Sequence, residues 1–202
     1  MTTRNPFAAI LACGLLLAVF SLPAATPAQD SLERIVKEVR KEILTLPNYG
    51  LFDDIRFTVE GDTVRLTGYA SRPTLKSSAA NVVKDIQGVE RVENQIEVLP
   101  LSRFDDQIRA RAYVAIYGDP ALARYNPNRG VPIPMSPARI AAGITNDPPP
   151  GNHPIRIIVK DGNLTLAGVV DSAADRQIAE ARANNVFGAF TVKNEIQVAS
   201  AR

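Results

Sequence analysis

The sequence predicts an α+β protein built from two tandem copies of one αββαβ sandwich unit. The first observation is an internal repeat: residues 55–98, moved forward by one hundred positions, align without a gap with residues 155–198. The second is the spacing of the apolar residues, which alternates between a helical period and a period of two. The third is the recurrence of turn residues at matching points. A repeat of this kind defines the architecture before any residue is given a function.

The repeat is carried by apolar and turn residues. Most core positions exchange one apolar residue for another, and such a duplicated pattern disfavours a single catalytic centre. Eleven of the 44 aligned positions are identical, and in the first copy these are Ile55, Arg56, Val59, Leu66, Gly68, Ala79, Gly88, Val92, Asn94, Ile96 and Val98.

Each copy is predicted to begin with an amphipathic helix, near 32–46 and near 102–117. In the second copy, Ser102 precedes Asp105 at the spacing of a capping box. Two strands follow, joined by a turn at 60–62 in the first copy and by Asp161-Gly162 in the second, which is a strong hairpin signal.

A second helix is predicted from Pro73 in the first copy and from Asp171-Ser172 in the second. Gly88 and Gly188 follow, where we expect a left-handed C-terminal cap. A last strand completes each copy. We therefore expect two helices packed on one face of a three-stranded sheet in each unit.

The copies differ between the first helix and the first strand. The second copy carries a Pro-rich insert there, residues 118–154. Within it, 136–143 is typical of one or two helical turns, since serine, proline and glycine stand at the cap positions. The stretch 147–151 is expected to be extended.

The N-terminus predicts secretion. Arg4 precedes a short apolar run and a small-residue segment, so residues 1–28 are interpreted as a signal peptide cut near Ala28, followed by units at 29–99 and 100–202. A lipoprotein signal that uses Cys13 is a weaker alternative. After cleavage no cysteine remains, which excludes disulfides and thiol chemistry. The expected location is the periplasm.

Charge is divided unevenly between the two halves. Residues 29–100 hold 10 basic and 12 acidic side chains, whereas residues 101–202 hold 12 and 9, and ten of those twelve basic residues are arginines. This bias indicates an anionic partner for the second half and is too small to indicate nucleic-acid binding.

The motifs resemble a known family. V-x-L-x-G at 64–68 and its echo at 164–168, a helix, and then G-V-x-x-V-x-N-x-I-x-V at 88–98 with its echo at 188–198 are similar to the BON (bacterial OsmY and nodulation) domain. The resemblance implies an α/β sandwich, an envelope location and non-enzymatic work, and it associates the chain with osmotic stress, envelope integrity and anionic phospholipids. The family has no agreed set of binding residues to transfer.

Several conspicuous residues are expected to be structural. Gly68 and Gly168 end the second strand, where a Cβ would clash with the facing helix or forbid a bulge. Asn94 and Asn194 are expected to satisfy backbone groups. His153 stands alone, so we expect neither a metal site nor a cofactor.

No nucleophile and base can be paired in the sequence, and we expect no enzymatic activity. The adjacent carboxylates at 53–54 and 105–106 occur at the starts of elements and do not recur at the repeat offset. Negative charge is favourable at a helix start, so these pairs have a structural interpretation.

The insert supplies the candidate contact residues. Arg124, Tyr125, Arg129 and Arg139 combine aromatic and basic side chains, which suits anionic headgroups. The alternative is that the insert covers part of the second unit.

The leading hypothesis is an envelope module that binds anionic phospholipid as a peripheral membrane protein and supports envelope integrity under stress. The main alternative is a protein-interaction or chaperone-like module that uses sheet edges or the insert. Glycan binding is a third and weaker reading, because the chain has no tryptophan.

Overall fold

The computed structural model describes residues 27–126 and 154–200, and it confirms two copies of one α+β unit. The first copy contains α1 (Pro27–Leu44), β1 (Asp54–Glu60), β2 (Thr63–Ala70), α2 (Pro73–Lys84), β3 (Arg91–Asn94) and β4 (Glu97–Val98). The second contains α3 (Arg103–Tyr117), a 3-10 helix (Pro120–Tyr125), β5 (Ile155–Lys160), β6 (Asn163–Val170), α4 (Ala173–Asn184), β7 (Thr191–Asn194) and β8 (Gln197–Val198).

Each sheet has its second strand at the centre. β1 and β2 form an antiparallel hairpin, and β3 and β4 both run parallel to β2. Asn94 lies opposite Leu66 and Glu97 lies opposite Tyr69, so β3 and β4 keep one register and act as a single interrupted strand. The three-stranded sheet predicted from the sequence is therefore present, and its third strand has a break. The second unit repeats this arrangement.

The asparagines explain the break. Asn94 Oδ1 accepts the N–H of Ile96 at 3.2 Å, and its Nδ2 donates to the carbonyl of Lys76 on α2 at 2.8 Å. Asn194 makes the same two bonds, with Ile196 at 3.1 Å and Arg176 at 3.2 Å. Each side chain thus ties the last strand to its helix and satisfies a main-chain donor that leaves the ladder.

Helix starts follow the sequence signals. Pro73 is at the first position of α2, and the hydroxyls of Ser102 and Ser172 accept the N–H groups of Asp105 and Asp175 at 3.2 and 3.1 Å. A cap of this type satisfies one of the four main-chain donors that a helix start leaves unpaired.

Gly68 and Gly168 have a structural reason that differs from the expected one. Their φ values are +99° and +113°, and a Cβ would stand 2.0 Å from the carbonyl oxygen of Asp54 or of Pro154. The close neighbour is therefore the main chain at the start of the adjacent strand, and the facing helix plays no part in the conflict. Only glycine fits this combination of left-handed backbone and close approach.

Gly88 and Gly188 adopt the left-handed conformation, with φ of +93° and +98°, but beyond the helix ends. Each is the third residue of a turn in which the N–H of Val89 or Ala189 bonds the carbonyl three residues earlier. This is the position at which a type II turn requires positive φ. The glycine therefore shapes the turn after the helix and does not cap the helix itself.

Two apolar cores hold the units, and the second core includes residues from the first copy. The first lies under α1 and α2 and includes Val39, Leu66 and Val83, all fully buried. The second lies under α3 and α4 and takes in Leu51 and Phe52 from the first copy. The loop between α1 and β1 therefore contributes to the core of the second unit.

Polar contacts reinforce this junction. The Leu51 carbonyl accepts the N–H of Ile157 on β5 at 3.0 Å. Arg156 donates to the carbonyls of Gly50 and Asp53 at 3.1 and 3.0 Å, and its guanidinium stacks 4.3 Å from the Tyr49 ring centroid. The two units are consequently joined by main-chain as well as side-chain bonds.

Ion pairs link the helix-free faces of the two sheets. Arg56 bonds Glu195 at 2.6 Å, and Lys160 bonds Glu97 at 2.5 Å. Hydrogen bonds from Lys193 and Arg56 lower the pKa of Glu195. The charged residues on these faces thus serve association between the units.

Candidate functional site

Arg124 and Tyr125 lie in the 3-10 helix, and both bind α4. Arg124 contacts the carboxylates of Asp171 and Asp175, and its guanidinium stacks 4.8 Å from the Tyr125 ring centroid. The Tyr125 hydroxyl donates to Asp175 at 2.9 Å and accepts the N–H of Asp171 at 2.7 Å. Tyr125 is 6% exposed. Its ring is therefore not available to a membrane surface, and Arg124 is engaged within the protein.

Asp175 explains why this segment docks on α4. It occupies the repeat position of Leu75, and both side chains are buried. Burial alone would raise the pKa of Asp175, but hydrogen bonds from Ser172, Tyr125 and Arg124 outweigh burial and lower the pKa. A second pair, between Arg182 on α4 and Asp119, fastens the other end of the segment. The start of the insert is thus structural cover for the second unit.

We expect Tyr125→Phe to lower the free energy of unfolding by about 1–2 kcal/mol, because two buried hydrogen bonds lose their hydroxyl. Arg124→Ser should also destabilise the fold, since it removes the cation beside a buried carboxylate. Exposed charges usually contribute little to stability, but Arg124 is bonded to a buried carboxylate. Urea unfolding at pH 7 checks both variants.

The pH dependence of the unfolding free energy provides a second test of the Arg124–Asp175 pair. A carboxylate with a depressed native pKa stabilises the fold above its unfolded pKa of about 3.9, and the contribution is lost as the pH falls through the native pKa. Arg124→Ser should raise the native pKa of Asp175 and so diminish this acid-dependent loss. Equal unfolding free energies for the parent and Arg124→Ser at pH 7 would contradict the role given to the pair.

The remaining insert residues lie outside the described part of the chain. These are Arg129, Arg139 and His153, together with the predicted helical turns at 136–143 and the extended stretch at 147–151. The assignment of Arg129 and Arg139 as contact residues stays a prediction.

The adjacent carboxylates hold main-chain turns. Asp53 accepts the N–H groups of Ser71 at 2.6 Å and Gly50 at 2.9 Å. Asp105, fully buried, accepts the N–H groups of Asp161 at 3.1 Å and Gly162 at 2.8 Å, which fixes the β5–β6 turn on α3. Each carboxylate is thus used by backbone donors that a turn would otherwise leave unpaired.

One end of the second unit exposes a group of apolar side chains, here called the aromatic tip. Phe187 and Phe190, in the turn after α4, are 81% and 71% exposed. The Phe190 ring packs 5.4 Å from that of Phe104 at the start of α3. Leu101, three residues before Phe104 in the chain, is also fully exposed. Large apolar side chains grouped at the surface mark an interaction site more reliably than single ones do.

Cations accompany the aromatic tip. The Arg111 guanidinium lies 5.4 Å from the Phe187 ring centroid and donates to the Phe187 carbonyl at 2.9 Å. Arg103, exposed, adjoins Phe104 on α3. The tip therefore presents aromatic rings with guanidinium groups at their margin.

The first copy lacks this surface. At the positions of Phe187 and Phe190 it has Gln87 and Glu90, both exposed. The turn backbone is alike in the two copies, and Arg34 donates to the Gln87 carbonyl at 3.1 Å much as Arg111 donates to Phe187. The fold therefore does not require phenylalanine there. A comparison of the two copies at exposed positions was the sequence signal that could have identified the tip.

Among residues 27–126 and 154–200, no helix is both long and apolar enough to cross a bilayer. Nor does that part of the chain bring together three or more side chains suited to holding a metal ion.

Comparison with family models decides the family. The BON domain model matches residues 31–100 and again residues 138–200. The chain belongs to the BON domain family. BON domains are generally non-catalytic binding modules of proteins associated with the bacterial envelope, and envelope and phospholipid-related roles are known in the family.

Comparison with solved structures gives only distant similarities. CdsD, a structural protein of the type III secretion system of Chlamydia trachomatis, matches with 13% identity and a TM-score of 0.27 over 84% of this chain and 94% of that chain. The C-terminal domain of CdsD matches with 12% identity and a TM-score of 0.27 over 82% of this chain and 98% of that chain. No curated protein matches significantly. These similarities are too low to support an argument about function.

Proposed function

We propose that this tandem BON protein is an envelope module that binds anionic phospholipid surfaces through the aromatic tip of its second unit. In this proposal the signal peptide is removed near Ala28, and the mature protein acts in the periplasm, where it supports envelope integrity under osmotic stress. The observation that supports the proposal most directly is the exposure of Phe187 and Phe190 beside Arg111.

The chemistry of the tip suits a lipid headgroup region. Aromatic rings are stable at the boundary between headgroups and acyl chains, while arginine reaches phosphate. Exposing two phenylalanines to water is unfavourable, and burial of such a side chain stabilises by about 1.5–3 kcal/mol. The tip replaces Arg124 and Tyr125 as the expected contact, since Tyr125 is buried and Arg124, although 42% exposed, is paired with two carboxylates of its own unit.

The double variant Phe187→Gln/Phe190→Glu tests the site. It installs the residues of the first copy, so the turn should fold normally. We expect binding to vesicles of phosphatidylglycerol and phosphatidylcholine to weaken by about tenfold or more, because burial of two rings is lost and an acidic group is introduced. Vesicle flotation of the mature protein measures the effect.

Val169→Thr provides the matched control, because Val169 is an apolar residue 50% exposed on β6 and lies outside the tip. It should bind vesicles as the parent does. If Phe187→Gln/Phe190→Glu binds as tightly as the parent, the tip is not the lipid contact. If the parent binds no anionic vesicle at all, the proposed function is wrong.

The dependence of binding on salt concentration distinguishes attraction to a lipid surface from association with another protein. Charge attraction between arginines and headgroups weakens with ionic strength, since the Debye length falls to about 3 Å at 1 M salt. The pairing of an edge strand with a peptide is much less sensitive. A specific feature of the first unit favours peptide pairing as a separate activity.

A further inference from the structure

We propose that the outer edge of β1 binds an extended segment of another polypeptide, one with two adjacent apolar residues followed by a carboxylate. The segment would add a strand beside β1 and place its apolar side chains against α1. This inference concerns the first unit and is independent of the lipid contact proposed for the second.

The register of the hairpin sets which main-chain groups face outward. Glu60 and Thr63 close a two-residue turn, so they form a hydrogen-bonded pair, and the pairs alternate from there. Ile55, Phe57 and Val59 consequently direct their N–H and C=O groups to the open edge. Ile55 donates to Tyr49 Oη at 3.3 Å. Phe57 and Val59 have no outward main-chain partner among the residues that the structure describes.

A cleft of about 440 Å³ runs along this edge between α1 and β1. Phe57 and Val59 are only partly buried at its floor. Its size falls in the range of ligand-binding clefts, about 300–1,000 Å³. Its apolar lining comes from Val36, Ile43, Leu44, Ile55, Phe57 and Val59.

The second unit shows the same place filled. Ile35 and Ile108 both pack on the turn glycine of their unit, which aligns α1 with α3. By that alignment, Tyr113 and Tyr117 occupy the positions of Arg40 and Leu44, and both tyrosines are buried.

The main-chain groups of β5 are also occupied. Tyr117 bonds both main-chain groups of Ile155, accepting its N–H at 3.2 Å and donating to its carbonyl at 2.5 Å. Arg109, at the position of Val36, donates to the Val159 carbonyl at 2.8 Å. The edge that is closed in one unit is therefore open in the other.

The chain itself provides an example of the occupant. The Leu51 carbonyl accepts the N–H of Ile157, which corresponds to Phe57 in the repeat. Leu51 and Phe52 enter the second core, and Asp53 follows them. Here Leu51 and Phe52 are the central residues of a turn that the Asp53 N–H closes on the Gly50 carbonyl at 3.2 Å. An apolar pair followed by a carboxylate thus already bonds this edge through one main-chain carbonyl in one of the two units.

Charge favours the same kind of segment at β1. Arg40, Arg56 and Arg156 line the cleft beside a single acidic residue, Asp54. Arg56 already pairs with Asp54 and Glu195, and Arg156 bonds the carbonyls of Gly50 and Asp53. A carboxylate that follows the apolar pair would therefore meet the exposed Arg40. Strand addition of this type derives affinity from main-chain bonds and specificity from side-chain pockets.

A labelled peptide with the sequence of residues 50–54, Gly-Leu-Phe-Asp-Asp, extended by polar residues, is a direct probe. Its twin carries N-methyl groups on leucine and on the first aspartate, the alternate amides that would face β1. Loss of two main-chain bonds should weaken binding by about tenfold. Fluorescence anisotropy with the mature protein measures both affinities.

Protein variants test the location. Arg40→Tyr/Leu44→Tyr installs the side chains that close the second unit, and we expect it to weaken peptide binding by about tenfold or more. Lys37→Tyr/Lys41→Tyr changes two residues of α1 that do not line the cleft and should bind as the parent does. Thermal unfolding of both variants verifies that they fold.

Equal binding of the peptide and its methylated twin, or no binding of either, would overturn the proposal. So would a concentration-dependent dimer in sedimentation that Arg40→Tyr/Leu44→Tyr abolishes, since a second copy would then occupy the edge. Phe187→Gln/Phe190→Glu should leave peptide binding unchanged, and Arg40→Tyr/Leu44→Tyr should leave vesicle binding unchanged. Failure of one proposal is therefore distinguishable from failure of the other.

Discussion

Gly168→Val is expected to prevent the second unit from folding. The φ of Gly168 is +113°, and a Cβ would lie 2.0 Å from the Pro154 carbonyl oxygen. That oxygen accepts the N–H of Val169 at 3.0 Å, so it cannot withdraw without loss of a sheet bond. A β-branched side chain adds steric conflict to a backbone conformation that costs an L-residue about 1–2 kcal/mol.

Circular dichroism and urea unfolding of the mature protein measure this effect. Gly61→Ala is the matched control, since Gly61 also has a positive φ, +63°, but a Cβ there meets no atom within 4 Å. Gly61→Ala should lower the free energy of unfolding only by the cost of placing an L-residue in a left-handed backbone conformation, about 1–2 kcal/mol. If Gly168→Val folds with the stability of Gly61→Ala, the close approach at Gly168 is not the reason for glycine.

Leu166→Ala is expected to cost about 2–5 kcal/mol of unfolding free energy, because a fully buried leucine leaves a cavity that the surroundings fill only in part. Leu166 has 0% exposure and packs in the core under α3 and α4. Leu66→Ala should behave alike in the first unit. Since a domain is stable by only about 5–15 kcal/mol, such a loss is a large share of the total.

Thermal and urea unfolding measure the loss. Val169→Ala, on the same strand but 50% exposed, should change stability by about 0.5 kcal/mol or less. An unchanged melting temperature for Leu166→Ala would mean that the side chain does not sustain the core.

Local patterns were sufficient for the secondary structure. The helical spacing in 32–46 and 102–117, the alternation around Leu66 and the caps at Ser102 and Ser172 each depend on neighbours a few residues away. Because the same apolar spacing occurs in both copies, the order of the elements and the inward face of β2 and β6 were predictable. Helix α1 was placed less well, because it runs Pro27–Leu44, whereas the spacing predicted a helix near 32–46.

The candidate site was not predictable in the same way. From the sequence, Arg124 and Tyr125 were expected at the surface. In the structure both bond to Asp175, about fifty positions further along the chain, and so pack on α4. Periodicity reports whether a side chain faces its own element's core, and it carries no information about which distant carboxylate a guanidinium will meet. Only the folded chain brings those groups together.

The sequence by itself determined the two units, their element order and the buried faces, because those follow from local spacing that was duplicated. The tertiary structure alone decided which surfaces remain free. Arg109, Tyr113 and Tyr117 close the edge of β5, while the edge of β1 stays open. Phe187 and Phe190 project where the first copy has polar residues. The first difference arises because the side chains that close an edge are fixed by contacts far along the sequence. The second arises because the two units carry different residues at the same exposed turn, where the shared core pattern imposes no residue type.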